Sequence, residues 1–412
     1  MANSFKVTSL VTGKELVRLM EQELILGNMV GNDMSSEYQM VGSTVAVRRQ
    51  AQYLGQDNNL DLSAYTEDVN EGFINVTMNQ TWSDRILIDP VDATLSFDRF
   101  SDMILKPLAR RAAERIENSI ASQYYKFFNF DGTPGTPPST FANLADSGAY
   151  MTDVGIPVTG RIAVHSPVVG AKLANAVATS NVQSRNASAL DKATIGYFGG
   201  FDNYVSAFVP THTVGPLGGT PAVNGGAQNV TYATVAAAGG YQQTLITNGW
   251  TAAAASRLKA GDTFTIANVF SVHPGTKAST ARLQTFTVLA DASSDASGNL
   301  TATISPPIIT SGAYQTVNSV PANGALLTIK TGTASTPYRQ SLLLDPNAIT
   351  MVSRPLSVPS DMGVKTSLAQ GERVSVRMTE YVDGNTLKHY MRADMLWGIE
   401  VVDPRRGLRL TS

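Results

Sequence analysis

Four histidines are the first residues to weigh for chemistry, because a neutral imidazole binds metals and moves protons near physiological pH. His165, His212, His273 and His389 stand far apart in the chain, and none shares the His-Glu-x-x-His spacing that brings two imidazoles to one metal on a helix face. Each is expected to be structural or exposed. Ser166 lacks the flanking glycines of a nucleophile elbow. Gly196, Gly199 and Gly200 precede Phe201, but their order matches neither phosphate-binding loop and no Lys-Ser or Lys-Thr follows. Asp57, Asp61, Glu67, Asp68 and Glu71 form a run of carboxylates without the fixed spacing and central glycine of a calcium loop. A solvated loop is the expectation there. The inventory predicts no enzyme, no catalytic residue, no metal and no cofactor.

Composition narrows the class further. A chain of 412 residues exceeds what one core usually serves, so two or three structural regions are expected. Lys and Arg number 31 against 33 Asp and Glu, which leaves no basic excess to drive binding to a phosphate backbone. There is no cysteine, which excludes disulfides and thiolate metal sites and suits a reducing cytoplasm. No signal peptide is read in the first residues and no apolar run has the length of a membrane helix, so a soluble product is expected.

The elements that must position these residues are legible in outline. Leu16, Val17, Leu19, Met20, Leu24 and Ile25 recur at helical spacing from Thr12 to Met29, with Thr12 as N-cap and Glu15 three residues on. This amphipathic helix is open to two readings, packing on its own domain or docking on a neighbouring subunit, and it is expected to contribute more to contact between subunits than to monomer folding. Residues 43–54 and 72–88 alternate apolar and polar side chains, predicting strands on either side of the acidic stretch. Such a long two-stranded arm needs a surface to lie against. From Leu108 to Phe128 an apolar stripe of Ala109, Ala112, Ala113, Ile116, Ile120, Tyr124 and Phe127 opposes a face of Arg110, Arg111, Glu114, Arg115 and Glu117, which predicts a long helix. A strand over 160–164 runs into a helix through Val177. Between Asn203 and Ser256 no Asp, Glu, Lys or Arg occurs, and turn-rich alternation follows. Residues 213–333 therefore read as an inserted all-β module closed as a barrel or sandwich. The last 75 or so residues resume strands, with Asp383-Gly384 as a turn.

This order of elements resembles the Hong Kong 97 type of major capsid protein. More narrowly, it resembles the coat protein of the short-tailed Salmonella phage group, which carries an extra β-barrel insertion domain. The residues behind the resemblance are Thr44 to Gln50 and Phe73 to Asn79 around the arm, and the Ala-Arg-Arg-Ala-Ala-Glu-Arg-Ile-Glu run from Ala109 to Glu117. Gly199-Gly200-Phe201-Asp202, Leu258-Lys259-Ala260-Gly261-Asp262 and Ala348 to Pro355 add to it. The resemblance implies an α+β, Hong Kong 97-like capsid fold. Its parts would be an N-terminal arm with amphipathic helix (1–40), the E-loop hairpin (41–90), spine helix and peripheral domain (91–160), and the first part of the axial domain (161–212). The inserted β-barrel (213–333) and the completion of the axial and peripheral domains with a C-terminal sheet (334–412) follow.

It further implies a coat protein that self-assembles through hexamers and pentamers into an icosahedral head enclosing double-stranded DNA without sequence-specific binding. A scaffolding protein and a portal protein are implied partners. The location would be the virion, after synthesis in the host cytoplasm, with no membrane contact. The alternative is another virion structural protein, a tail or surface adhesin subunit, suggested by the Gly/Ala/Thr-rich β region but opposed by the long helix and the arm. In the capsid architecture the arm overlies an adjacent subunit, so Arg48, Arg49, Asp57, Asp61 and Glu67 are the expected intersubunit contacts. Because neighbouring strand residues point to opposite faces, only one of Arg48 and Arg49 is expected to face the underlying body.

Overall fold

The computed structural model describes residues 9–31, 44–49, 51–56, 63, 66, 72–88, 104–179, 195–238, 240–357, 364–383 and 388–412. They fall into two compact units, the first made of Met1–Val45, Asn75–Ala121 and Ile349–Glu400, the second of Ala46–Ile74, Ser122–Ala348 and Val401–Ser412.

In the first unit, helix α1 (Ser9–Glu23) begins before Thr12, which lies buried inside it rather than capping it. Leu16 and Met20 are wholly buried and Val17 and Leu19 nearly so. The stripe packs on the strands Lys365–Gln370 and Ser375–Val382. Gly13 explains the close approach, since a Cβ there would stand 3.0 Å from Met378 Cγ and 3.1 Å from Ala369 Cβ. The helix thus belongs to the core of its own subunit, which corrects the expectation that it acts mainly on a neighbour. Its apolar face is already covered. A short helix α2 (Leu26–Met29) follows after a break at Leu24 and Ile25.

Helix α3 (Lys106–Ala121) buries Leu108, Ala109, Ala112, Ala113, Ile116 and Ile120, the expected stripe, and packs against α1. Pro107 sits in its first turn, where no intrahelical N–H is needed. The helix stops at Ala121 and tightens into a 3-10 turn over Ser122–Lys126, earlier than the predicted end at Phe128. Arg110 and Arg111 reach Glu114 at 3.4 and 3.2 Å on the exposed face. Glu117, expected on that face, is instead 2 % exposed.

The arm strands Thr44–Arg48 and Phe73–Thr77 pair as a two-stranded sheet. The returning chain then enters a different sheet: Gln80–Ile88 pairs antiparallel with His389–Val401, from Gln80 opposite Trp397 to Leu87 opposite Tyr390. Gly398 permits the crossing, because a Cβ would lie 2.7 Å from the Thr77 carbonyl. Ser375–Val382, Lys365–Gln370 and Ile349–Ser353 complete this five-stranded sheet. Asp383 N–H donates to the Lys388 carbonyl at 3.0 Å, while Gly384 of the expected turn lies outside the described residues.

The second unit holds a seven-stranded mixed sheet in the order Asn129–Asp131, Gly407–Thr411, Pro337–Leu344, Ile162–His165, Phe201–Val205, Gly196–Phe198, with Thr211–Thr213 beside the start of Pro337–Leu344. Helices α4 (Phe141–Asp153) and α5 (Pro167–Ala178) supply Leu144, Met151, Val169 and Leu173 to its core against Phe201, Leu343, Leu408 and Leu410. Ser166 caps α5, accepting the Val169 N–H, and Pro167 opens it.

A six-stranded sheet occupies the middle of this unit, in the order Leu327–Ile329, Thr263–Val272, Ser279–Val288, Leu300–Ser305, Gln243–Trp250, Gly219–Val223. Its edges meet. Val223 N–H donates to the Ala325 carbonyl at 2.9 Å and Gly324 N–H to the Val223 carbonyl at 2.8 Å, so the strands close on themselves around Leu245, Trp250, Phe264, Phe286, Leu300 and Ile304. A bulge in Thr263–Val272 is centred on Asn268, which takes a positive φ of 63°. The short helix α6 (Tyr232–Ala237) packs outside this barrel core, placing Tyr232 and Val235 with Phe128, Tyr241 and Ile309.

Candidate assembly site

The arm's root is where the expected contact residues meet described structure. Strand alternation turns Val47 inward at 1 % exposure, Arg48 outward and Arg49 inward at 7 %. Arg49 N–H donates to the Gly72 carbonyl at 2.7 Å, closing the base of the hairpin. Its guanidinium donates through Nε to the Val402 carbonyl at 3.2 Å and lies over the Tyr241 ring at 4.8 Å. Arg49 therefore faces its own chain. Arg48 is the exposed cation of the pair. Asp57, Asp61 and Glu67 lie outside the described residues.

Around Arg49 stands a dense set of rings and charges. Asp403 accepts from Arg405 Nε and Nη2, both at 2.8 Å, a bidentate pair. Arg405 approaches the Tyr241 ring at 5.8 Å, so two guanidinium groups flank one phenol. Burial pushes the Tyr241 hydroxyl up to about 12. Burial lowers the Arg49 pKa, with Asp403 opposing. Burial also disfavours the Asp403 carboxylate, yet Arg405 outweighs it and holds the group below the usual range. Tyr232 and Tyr314 stack with ring centroids 3.4 Å apart. Gln52, Asn129, Tyr241, Lys277, Tyr314 and Arg405 line a small cleft of about 60 Å3 beside them.

A second polar cluster joins the barrel to the seven-stranded sheet. Asp262, fully buried, accepts from His212 Nε2 at 2.8 Å, Thr331 Oγ1 at 3.2 Å, and the Gly215 and Lys259 N–H groups at 3.0 and 2.8 Å. On its other side His212 Nδ1 meets the Tyr124 hydroxyl at 3.0 Å. The residues on either side of Asp262 hold the buried Arg409, which donates to the Gly261 carbonyl at 2.7 Å, to Thr263 Oγ1, to Thr287 Oγ1 at 3.2 Å and to Gln340 Oε1 at 3.2 Å. Burial pulls Arg409 down to about 10. Every partner in this cluster is a fixed structural group, and the arrangement orients one domain element on another. His165, also buried, meets Asn203 Oδ1 at 3.0 Å and is structural in the same way.

His212 and Asp262 each stand out in the sequence, but their pairing across fifty residues of chain is not legible there. Arg409 is not singled out there, and Glu117 is expected on an exposed helix face rather than in the core. The usable signal was a lone arginine between Leu408 and Leu410 in a strand whose two faces are both covered. Among the described residues no group of three or more His, Cys, Asp or Glu is placed to hold a metal. No described helix is long and apolar enough to cross a membrane.

The sequence model of the P22 coat protein family, gene protein 5, matches residues 1–412. The chain is 28 % identical over 319 residues to a major capsid protein of Acyrthosiphon pisum secondary endosymbiont phage 1, covering 74 % of each. Among solved structures it is similar to one from Mycobacterium phage Che8, at 12 % identity and a TM-score of 0.46, over 94 % of this chain and 90 % of that one. A CUS-3 coat protein I-domain aligns at 29 % identity and a TM-score of 0.21, over 29 % of this chain and all of the domain.

Proposed function

Since the chain belongs to the P22 coat protein family and is a phage major capsid protein with an α+β capsid fold, we propose that it builds an icosahedral head through hexamers and pentamers. The match over residues 1–412 carries this reading. In it, double-stranded DNA is enclosed without sequence-specific contacts, consistent with 31 basic against 33 acidic residues. A scaffolding protein and a portal act as assembly partners, and the subunit is made in the host cytoplasm before it enters the virion capsid. Residues 1–40, 41–90, 91–160, 161–212, 213–333 and 334–412 serve as N-terminal arm, E-loop, spine with peripheral domain, axial domain, inserted barrel and C-terminal completion. Arg48 and the acidic Asp57, Asp61 and Glu67 act between subunits, while Arg49 anchors the arm within its own chain.

Electron microscopy of protein assembled under native conditions, together with its sedimentation, tests this. Closed shells and ring-shaped capsomers are expected. Tubes or discrete trimers would instead mark a tail or adhesin subunit.

A further inference from the structure

The loop that leaves the arm's first strand is held by groups the barrel module supplies. Gln52 N–H donates to the Tyr314 hydroxyl at 3.0 Å. With its amide oriented to suit its neighbours, the Gln52 side chain donates to the Ala313 carbonyl at 3.1 Å and accepts from Arg405. Three residues earlier Arg49 rests on Tyr241. On the returning side, Gly72 lies so close to Tyr232 that a Cβ there would overlap the phenol oxygen. Tyr232 is in turn fixed by its stack on Tyr314. Both legs of the arm therefore end on Tyr232, Tyr241 and Tyr314, all within the 213–333 segment.

We propose that the inserted β module is the anchor of the arm: its three tyrosines form a socket that holds the arm's root at Arg49, Gln52 and Gly72. Burial supports the assignment, since Tyr232 and Tyr241 are 7 and 8 % exposed and are not surface rings collected by chance. A two-stranded arm has too little core to hold its own direction, so a rigid barrel under its root supplies what it lacks. The socket is a positioning device. Its value to assembly rests on the reading that the arm works between subunits.

The test is limited proteolysis within residues 50–71 of the full-length subunit, run beside thermal melting and assembly. Tyr314→Phe keeps the stacked ring and removes only the hydroxyl that accepts from Gln52. Gly72→Ala forces a methyl against Tyr232, and adding Tyr232→Phe to that variant removes the overlap. Tyr314→Phe and Gly72→Ala are each expected to speed arm cleavage about tenfold, because cleavage follows the population of the opened arm. Cleavage within 122–348 should not change, and the Gly72→Ala, Tyr232→Phe double variant should return towards wild type. Unchanged arm cleavage in folded Tyr314→Phe and Gly72→Ala protein would overturn the anchor, as would a double variant no better than Gly72→Ala alone. Faster arm cleavage with normal assembly would support the anchor and sink the reading that the arm acts between subunits.

Discussion

Glu117 and Arg373 hold opposite ends of the same four-residue helix. The Glu117 carboxylate accepts the N–H groups of Ile25, Leu26 and Gly27 at 2.8, 3.0 and 3.0 Å, at the start of α2. Arg373 donates to the carbonyls of Gly27, Asn28 and Val30 at its end. These are the backbone groups a helix leaves unpaired, and each charge has the sign that its end of the helix dipole favours. So short a helix would not persist without them.

Replacing Glu117 by Ala should therefore destabilise the subunit by about 2 to 4 kcal/mol, since two buried donors and one half-buried donor lose their acceptor. Arg373→Ala should cost less, because part of its head is exposed to water. Urea unfolding of the unassembled subunit reads both. A Glu117→Ala loss below that of an ordinary surface substitution would show that water replaces the carboxylate. Burial raises the Glu117 pKa against the pull of the three N–H groups. Its own contribution to stability is thus greatest at low pH and declines as pH rises through the raised value.

His165 should make stability depend on pH in the opposite sense. Burial lowers its pKa from 6.5 to about 4, and Asn203 only partly offsets this. The unfolded chain then binds a proton that the folded chain refuses, so the stability is present above the unfolded value of 6.5 and is lost as pH falls towards 4. The expected loss is about 3 kcal/mol across that window. Denaturation midpoints at closely spaced pH values should fall on this slope in wild type and flatten in His165→Gln. An equal slope in the variant would assign the proton to another group.

The stripes of α1 and α3 were legible because apolar residues at helical spacing need only local geometry to be read. The alternation in the barrel strands was legible for the same reason, and so was the helix running through Val177. What escaped depends on pairings distant in sequence. Glu117 looked like one more charge on an outward face until residues 25–27, some ninety positions earlier, placed three N–H groups above it. Residues 141–153 were not recognised as a helix, since Gly148 and scattered polar residues blur the stripe, although Thr140 and Asn143 form a capping box there. The arm's return strand was read as one run to Ile88, whereas Gly398 from the C-terminal sheet meets it at Thr77 and splits it between two sheets. Of the proposed contact residues, alternation predicted that Arg48 and Arg49 would part, but the tyrosines that draw Arg49 inward lie in another part of the chain.

Arg409 is expected to be the most sensitive charged residue of the second unit. It is fully buried, and four oxygen acceptors from three strands and a turn converge on it. Arg409→Met fills much of the volume but strands those acceptors, at a cost of about 3 to 5 kcal/mol. Arg409→Lys keeps the charge but not the fork, and should recover only part of the loss. Calorimetry of the unassembled protein checks the order wild type, lysine, methionine. A methionine variant as stable as wild type would mean that the network contributes orientation and no net stability.

Arg48 and Arg49 provide the sharpest contrast, because adjacent positions on one strand should fail in different ways. Arg49 is seated on Tyr241 and hydrogen-bonded to Val402, so Arg49→Ala should lower the melting temperature of the unassembled subunit. Arg48 is exposed on the other face. A charge at the rim of an interface acts mainly on association rate and salt sensitivity, and its reach shrinks to about 8 Å at physiological ionic strength. Arg48→Ala should therefore melt like wild type but assemble more slowly at low salt, with the difference closing as salt rises. Arg48→Glu should slow assembly further, since it reverses the charge presented to the neighbouring subunit. Light scattering of assembly reactions across a salt series decides the matter. If Arg48→Ala and Arg48→Glu both track wild type at every salt concentration, Arg48 makes no contact between subunits, and the acidic stretch of the arm must find its partner elsewhere.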